Sequence, residues 1–325
     1  MTEFMSINSK YKIKYLNLKN IKGGSKLEMY VFKDIFNKIY ILKENKLYSV
    51  LFENNILQLP SLYDFGQESI SQIVSKNTNS FWVLTTDFKI YNLKENLEGK
   101  DFKFNIEELK LNINLIKIDA ILSSYLIGLT DKNQIFLIST NDGKLTLMLN
   151  NIINFSCNKM SILVIDKNNK IKLYYFDFKD LDKINFIESK NVINDNNNNN
   201  IKEISISFYD SPHLAINQSN SLIVFGGNNE NKKEIDILNS YQDNIKKINT
   251  KYKYLIHGET NNLVCYDSQY NEILNNEIND QIKFENIYQL VYTSEFILFG
   301  YLDNSIKIVY FDSDSNMKIE DLLKS

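Results

Sequence analysis

The residues best suited to metal chemistry are His213, His257, Cys157 and Cys265, the only histidines and cysteines in the chain. A structural zinc site usually draws its ligands in pairs spaced by a few residues, so that one turn or hairpin presents two of them together. No such pair exists here, because the four residues fall in three different stretches of the chain. His257-Gly258-Glu259 places an imidazole near a carboxylate, the groups needed for proton transfer, but it reads as a strand end running into a turn. Gly23-Gly24-Ser25-Lys26 resembles the end of a phosphate-binding loop yet lacks the earlier glycine at the required spacing, and it reads as a turn. Neither a Gly-x-Ser-x-Gly elbow nor a Gly-x-Gly-x-x-Gly loop occurs. We therefore expect no catalytic, cofactor-binding or metal residue, no cofactor and no enzymatic activity.

Composition narrows the classes further. All 37 basic residues are lysine, and the formal charge is -3 with a pI near 5.6. Without a guanidinium there is no planar fork for phosphate or guanine edges and no arginine finger. Nucleic acid is accordingly not expected as a partner. No run approaches the length of apolar residues that crosses a bilayer, and residues 1–20 lack the apolar stretch of a secretory signal. Two cysteines in 325 residues fit a reducing compartment, so a cytoplasmic or nuclear protein without membrane attachment is expected.

The elements that would hold any site come from an internal repeat. An apolar run, a polar turn and an alternating apolar run recur with anchors at Leu47, Ile90, Ile135, Ile171, Leu222, Leu263 and Ile306. The intervals are 43, 45, 36, 51, 41 and 43 residues, close to the length of one four-stranded propeller blade. Asn, Asp, Lys and Ser fill the turns, while Ile, Val, Leu, Tyr and Phe fill the flanks, which predicts a hairpin at each anchor. A further strand is predicted before most hairpins, as at Ile70-Ile73-Val74, Leu115-Ile116-Ile118, Ile152-Ile153-Phe155, Ile201-Ile204-Ile206, Ile245-Ile248 and Ile287-Leu290-Val291. The expected fold is all-β, a single seven-bladed β-propeller over residues 1–325, with a disordered Asn-rich loop at 191–200 accounting for the longest interval.

The best helical signals are Glu95 to Leu109 and Asn316 to Lys324, where Ile319, Leu322 and Leu323 recur at helical spacing. With so short a tail after Ile306, residues 10–19 are expected to complete the last blade. There Tyr11, Ile13 and Tyr15 alternate with Lys12 and Lys14 as a half-buried edge strand does.

Residues 211–229, SPHLAINQSNSLIVFGGNN, carry a more specific pattern. Ser211, His213, Leu214, Ala215, Ile216, Leu222, Val224, Phe225, Gly226 and Asn228 resemble in place the repeat of the regulator of chromosome condensation family. Phe155-Ser156-Cys157 resembles that family's strand ending in Cys-Gly, with Asn158 where glycine stands, and Leu129-Thr130 and Leu84-Thr85 resemble its approach to the turn. Gly226 and Gly227 are read as a tight strand exit and His213 as a polar plug at a strand start.

The resemblance implies a propeller whose small relatives act as adaptors or regulators of other machines, so a non-catalytic interaction scaffold with a protein partner is expected. The alternative it implies is guanine nucleotide exchange on a small GTPase, through a wedge at residues 94–112 or the Asn-rich segment. Nothing in the sequence assigns partner-binding residues. The charge argument has a direct test: in a titration at physiological salt, duplex DNA should bind weakly and without sequence preference, and a nanomolar affinity would contradict it.

Overall fold

The computed structural model describes residues 29–33, 39–53, 56–59, 61–77, 80–96, 103–122, 124–177, 184–189, 201–206, 213–225, 245–249, 254–258, 263–266, 287–292, 296–301, 303–311 and 317–323. Among them the regular structure is all β, arranged as seven antiparallel sheets in chain order. The first sheet holds β1 (Met29–Lys33), β2 (Ile39–Lys43) and β3 (Lys46–Glu53), with β4 (Ile56–Gln58) and β5 (Ser61–Asp64) sharing the far side of β3. The second holds β6 (Ile70–Asn77), β7 (Ser80–Thr85), β8 (Ile90–Asn96) and β9 (Lys103–Glu108). The third holds β10 (Leu115–Leu122), β11 (Tyr125–Thr130), β12 (Gln134–Ser139) and β13 (Leu145–Asn150). The fourth holds β14 (Ile152–Cys157), β15 (Ser161–Asp166), β16 (Ile171–Asp177) and β17 (Asn185–Glu188).

Three strands are described in the fifth sheet, β18 (Ile201–Ser205), β19 (His213–Asn217) and β20 (Leu222–Phe225). The sixth likewise shows β21 (Ile245–Asn249), β22 (Tyr254–Gly258) and β23 (Leu263–Tyr266). The seventh comprises β24 (Ile287–Tyr292), β25 (Phe296–Tyr301), β26 (Ile306–Phe311) and β27 (Met317–Leu322). Every repeat anchor read from the sequence lies at or next to the start of a third strand, and each predicted preceding run coincides with a first strand.

The turn between second and third strands shows how an asparagine-rich chain makes these hairpins. In the third sheet the N–H of Asn133 donates to the carbonyl of Thr130 at 3.0 Å, and Asn133 takes a φ of 61°. Asn169, Asn220 and Asn304 repeat the arrangement, donating to Asp166, Asn217 and Tyr301 with φ of 59°, 60° and 64°. This is a type I turn closed by one left-handed residue, a place where asparagine is among the few side chains tolerated beside glycine. The residue opening the turn caps it: Thr130 Oγ1 accepts from the Gln134 N–H at 3.2 Å, and Asn217 Oδ1 accepts from the Ser221 N–H at 2.9 Å. Glycine is needed elsewhere for space. A Cβ on Gly128 would stand 2.7 Å from Leu115 Cδ1.

Both faces of most sheets are buried, so the core is a series of layers between sheets. Tyr40, Leu42 and Leu47 of the first sheet pack with Ile70, Ile73 and Phe81 of the second. Trp82 and Leu84 of the second meet Leu115, Leu126 and Ile138 of the third. Ile127 and Leu137 of the third meet Phe155 and Val164 of the fourth, and Leu163 and Ile171 of the fourth meet Ile204 and Ala215 of the fifth. A further layer joins the first sheet to the seventh. Ile39, Ile41 and Val50 of the first sheet pack with Val291, Leu298, Ile306, Ile308 and Leu322 of the seventh. First strands also lie against one another from sheet to sheet, β6 on β10, β10 on β14, β14 on β18, β18 on β21, and β24 on β1.

The two helical readings are corrected. Residues 103–108 within the first segment form β9, and 317–322 within the second form β27. The recurrence of Ile319 and Leu322 reflects two faces of a strand: Ile319 stands opposite Val309, and Leu322 stands opposite Ile306 and enters the seam with the first sheet. β27 pairs with β26 and is the fourth strand of the seventh sheet. Residues 10–19 themselves lie outside the described residues, as do the Asn-rich segment 191–200 and the glycine pair Gly226-Gly227. Lys43 seals the seam by donating through Nζ to the carbonyl of Leu323.

The turn chemistry generates a prediction. Asn133→Val should lower stability by about 1–2 kcal/mol because a branched side chain resists the left-handed region, whereas Asn133→Gly should be near neutral. Urea denaturation of the two variants checks the order, and equal losses would contradict it.

Candidate functional site

The residues with metal-binding types fall on three sheets. Cys157 is buried in β14 of the fourth sheet, His213 opens β19 of the fifth, and His257 and Cys265 lie on β22 and β23 of the sixth. Ile216 stands opposite Glu203 while His257 stands opposite Lys247, at the matching register of the next sheet. Relative to that shared level His213 sits three residues earlier, opposite Phe225, so the two histidines occupy different depths of their sheets. Among the described residues no group of three or more potential ligands gathers.

His213 is buried at 4% exposure with its ring edge-on to Phe225, centroids 5.6 Å apart at 71°. Burial disfavours the imidazolium and holds the group down at about 4, against an ordinary 6.5. It is therefore neutral at physiological pH and faces an aromatic neighbour, which suits a strand-start plug. Of the proposed exchange wedge, residues 103–108 pair along β8 as an ordinary outer strand, with Ile106 opposite Leu93, and 97–102 lie outside the described residues.

Polar side chains with a defined task sit on the inner strands, at positions that sequence reading passed over. In six sheets the first strand shifts register after its opening residue, and the next paired residue is Gln72, Lys117, Asn154, Glu203, Lys247 or Gln289. In the second sheet, Gln72 Nε2 donates to the Ile118 carbonyl and its Oε1 accepts from the Ile118 N–H, both at 2.9 Å. This amide copies a strand across to the third sheet. Lys117 then reaches the fourth, donating through Nζ to Asn154 Oδ1 at 2.8 Å and to the Phe155 carbonyl, with Nζ 4.9 Å from the Phe155 ring centre. The fourth reaches the fifth where the Ile206 N–H donates to Ser156 Oγ at 3.3 Å. The readable signal was a polar residue two places after the first apolar residue of each inner run.

The outward surface offers a different chemistry. Tyr175 and Ile187 are 48% and 53% exposed and adjoin on the fourth sheet, and Met160, in the turn before β15, is 45% exposed. Tyr175 is the cross-strand partner of Ile187, and the Met160 carbonyl accepts from the Phe176 N–H at 2.9 Å, which brings the Met160 turn to the same end. Ile171 and Leu173, on the same face of β16, are buried against the fifth sheet, so the exposed pair continues an apolar stripe beyond the packed layer. Contiguous exposed apolar side chains of this kind mark interaction surfaces more often than isolated ones.

No family model and no curated protein matches the chain. Among solved structures it is similar to the N-terminal domain of Nup159, at 11% identity and a TM-score of 0.45 over 93% of this chain and 76% of that one. It is also similar to a chain in a S. cerevisiae assembly of Dbp5 bound to Nup159, Gle1, IP6 and ADP, at 10% identity and a TM-score of 0.46 over 93% of this chain and 75% of that one. Likeness at this level carries no argument about what the chain does. Among the described residues no helix is long and apolar enough to cross a membrane.

The burial of His213 has a consequence for stability. The unfolded histidine takes up a proton below its ordinary 6.5, and the folded one resists protonation down to about 4. Stability should therefore be full above that range and fall as pH drops through it, by about 3 kcal/mol over the whole window. Denaturation at a series of pH values should show a shallower slope for His213→Gln than for the parent. An identical slope would remove His213 as the cause.

Proposed function

We propose that the chain is one closed seven-bladed β-propeller that works as a non-catalytic protein-interaction scaffold or regulatory adaptor in the cytoplasm or nucleus. The observation that carries the proposal is the exposed cross-strand pair of Tyr175 and Ile187 on an otherwise packed sheet. A rigid stack of sheets, tied across its inner strands by Gln72, Lys117 and Ser156, is a platform on which such a pair keeps its shape. Its partner is a protein surface with apolar side chains to cover Tyr175 and Ile187.

Guanine nucleotide exchange is the second reading and has less support: residues 103–108 of one candidate wedge are spent in sheet pairing, and the other, the Asn-rich segment, lies outside the described residues. Release of nucleotide from small GTPases is expected at background in the presence of the purified protein.

The double variant Tyr175→Ser, Ile187→Ser tests the scaffold reading. Replacing exposed side chains should move stability by no more than about 0.5 kcal/mol per site, while proteins co-purifying with the parent are lost. Retention of the same partners by the folded variant would refute the assignment of this surface.

A further inference from the structure

We infer that β13, the outer strand of the third sheet, is a docking edge that accepts an extended, uncharged peptide segment of a partner protein as an added strand. The inference goes beyond the scaffold reading, which rests on the fourth sheet. β13 ends its sheet, and no described strand pairs with its outer side. The N–H of Ser139 donates to the Lys144 carbonyl at 2.9 Å and that of Thr140 donates to Ser124 on the opposite side. This alternation, carried along the register of Leu137 with Thr146 and Ile138 with Leu145, commits Thr146 to β12 and turns the N–H and C=O of Leu145 and Leu147 outward. An open row of this kind is a template for another strand.

Soluble proteins protect such rows with charge. Among the other outer strands of four residues or more this rule holds, with Asp64 on β5, Glu107 and Glu108 on β9, Glu188 on β17, and Lys318, Glu320 and Asp321 on β27, while the three-residue β4 is also uncharged. β13, with the sequence LTLMLN, has no charged residue. Leu147 is 46% exposed on it, so an apolar side chain stands beside the open backbone groups. The register shift between Ile135 and Phe136 bounds the straight part of the edge, since Met148 and Leu149 pack toward the fourth sheet.

The occupant is argued from shape and charge. A second copy of the chain would meet this edge as one stiff sheet against another along at most six residues, well short of the ~1,600 Å² that a stable interface buries. A flexible segment can complete the ladder and fold its own side chain over Leu147. The lack of charge on β13 selects a neutral segment with apolar residues at alternate positions.

The probe is a fluorescein-labelled peptide of alternating threonine and valine with lysine at each end, titrated with the full chain and read by anisotropy. Saturable binding is expected. Leu147→Lys should weaken it at least about tenfold by charge, and Leu147→Pro likewise by removing an outward N–H while leaving the ladder to β12. Ile106→Lys, on the charged edge β9, should bind as the parent does and report that the peptide is not simply sticking to exposed apolar residues. Absence of saturable binding by the folded parent, or binding unchanged in both Leu147 variants, would overturn the inference. So would a parent that sediments as a dimer and is made monomeric by Leu147→Lys, because the edge would then belong to a second copy. None of these outcomes touches the Tyr175–Ile187 surface, whose test is separate.

Discussion

The seam between the first and last sheets is the contact on which the rest of the architecture depends. A sheet that buries both faces needs a neighbour on each side, and a chain of such sheets leaves two apolar faces uncovered unless its ends meet. Here Ile39, Ile41 and Val50 cover Leu298, Ile306, Ile308 and Leu322. Fully burying a side chain of this size contributes about 1.5–3 kcal/mol relative to leaving it in water, so an open seam would cost more than the whole net stability of a typical domain. The Lys43 ammonium on the Leu323 carbonyl adds a directional contact across the same boundary. β27 extends that boundary, because it pairs with β26 and sends Leu322 into the seam.

Between the sheets two kinds of interaction divide the work. Apolar layers hold neighbouring sheets face to face, and they are tolerant of which aliphatic residue fills each place. The inner polar contacts are specific. Gln72 can bond both the N–H and C=O of Ile118 only when β6 and β10 stand at one height, so the amide fixes the register of sheets that apolar packing alone would let slide. The shift that opens each inner strand is what brings these polar residues to the level where the next sheet can be reached. Outward, the same stiffness leaves Tyr175, Ile187 and Leu147 in place rather than letting them collapse inward.

Much of this was legible in the sequence. Apolar second strands and alternating third strands flank turns such as Thr130-Asp131-Lys132-Asn133, and a hairpin is specified by local chemistry. Inner strands were legible from apolar residues at fixed spacing, such as Ile152 and Phe155, which are the buried ones. Outer strands were not. β9 and β27 have one side toward solvent and mix Lys, Glu and Asp with isolated Ile and Leu, so their spacing imitates an amphipathic helix when pairing partners are unknown. The candidate surface was hidden for a related reason: Tyr175 and Ile187 read as ordinary strand residues, and only the ending of the packed layer before them leaves them exposed. The stretch of residues 211–229 gave a true hairpin in β19 and β20, with His213 buried against Phe225.

Closure of the ring is tested most directly by hydrogen exchange in β2 after removal of residues 317–325. The two segments are far apart in sequence, so coupling between them can pass only through the seam. The account predicts that amides of Ile39 to Leu42 exchange markedly faster in the shortened chain while those of β15, in the fourth sheet, change little. Unaltered exchange in β2, with the shortened chain as stable as the parent, would contradict a ring closed by the first and seventh sheets.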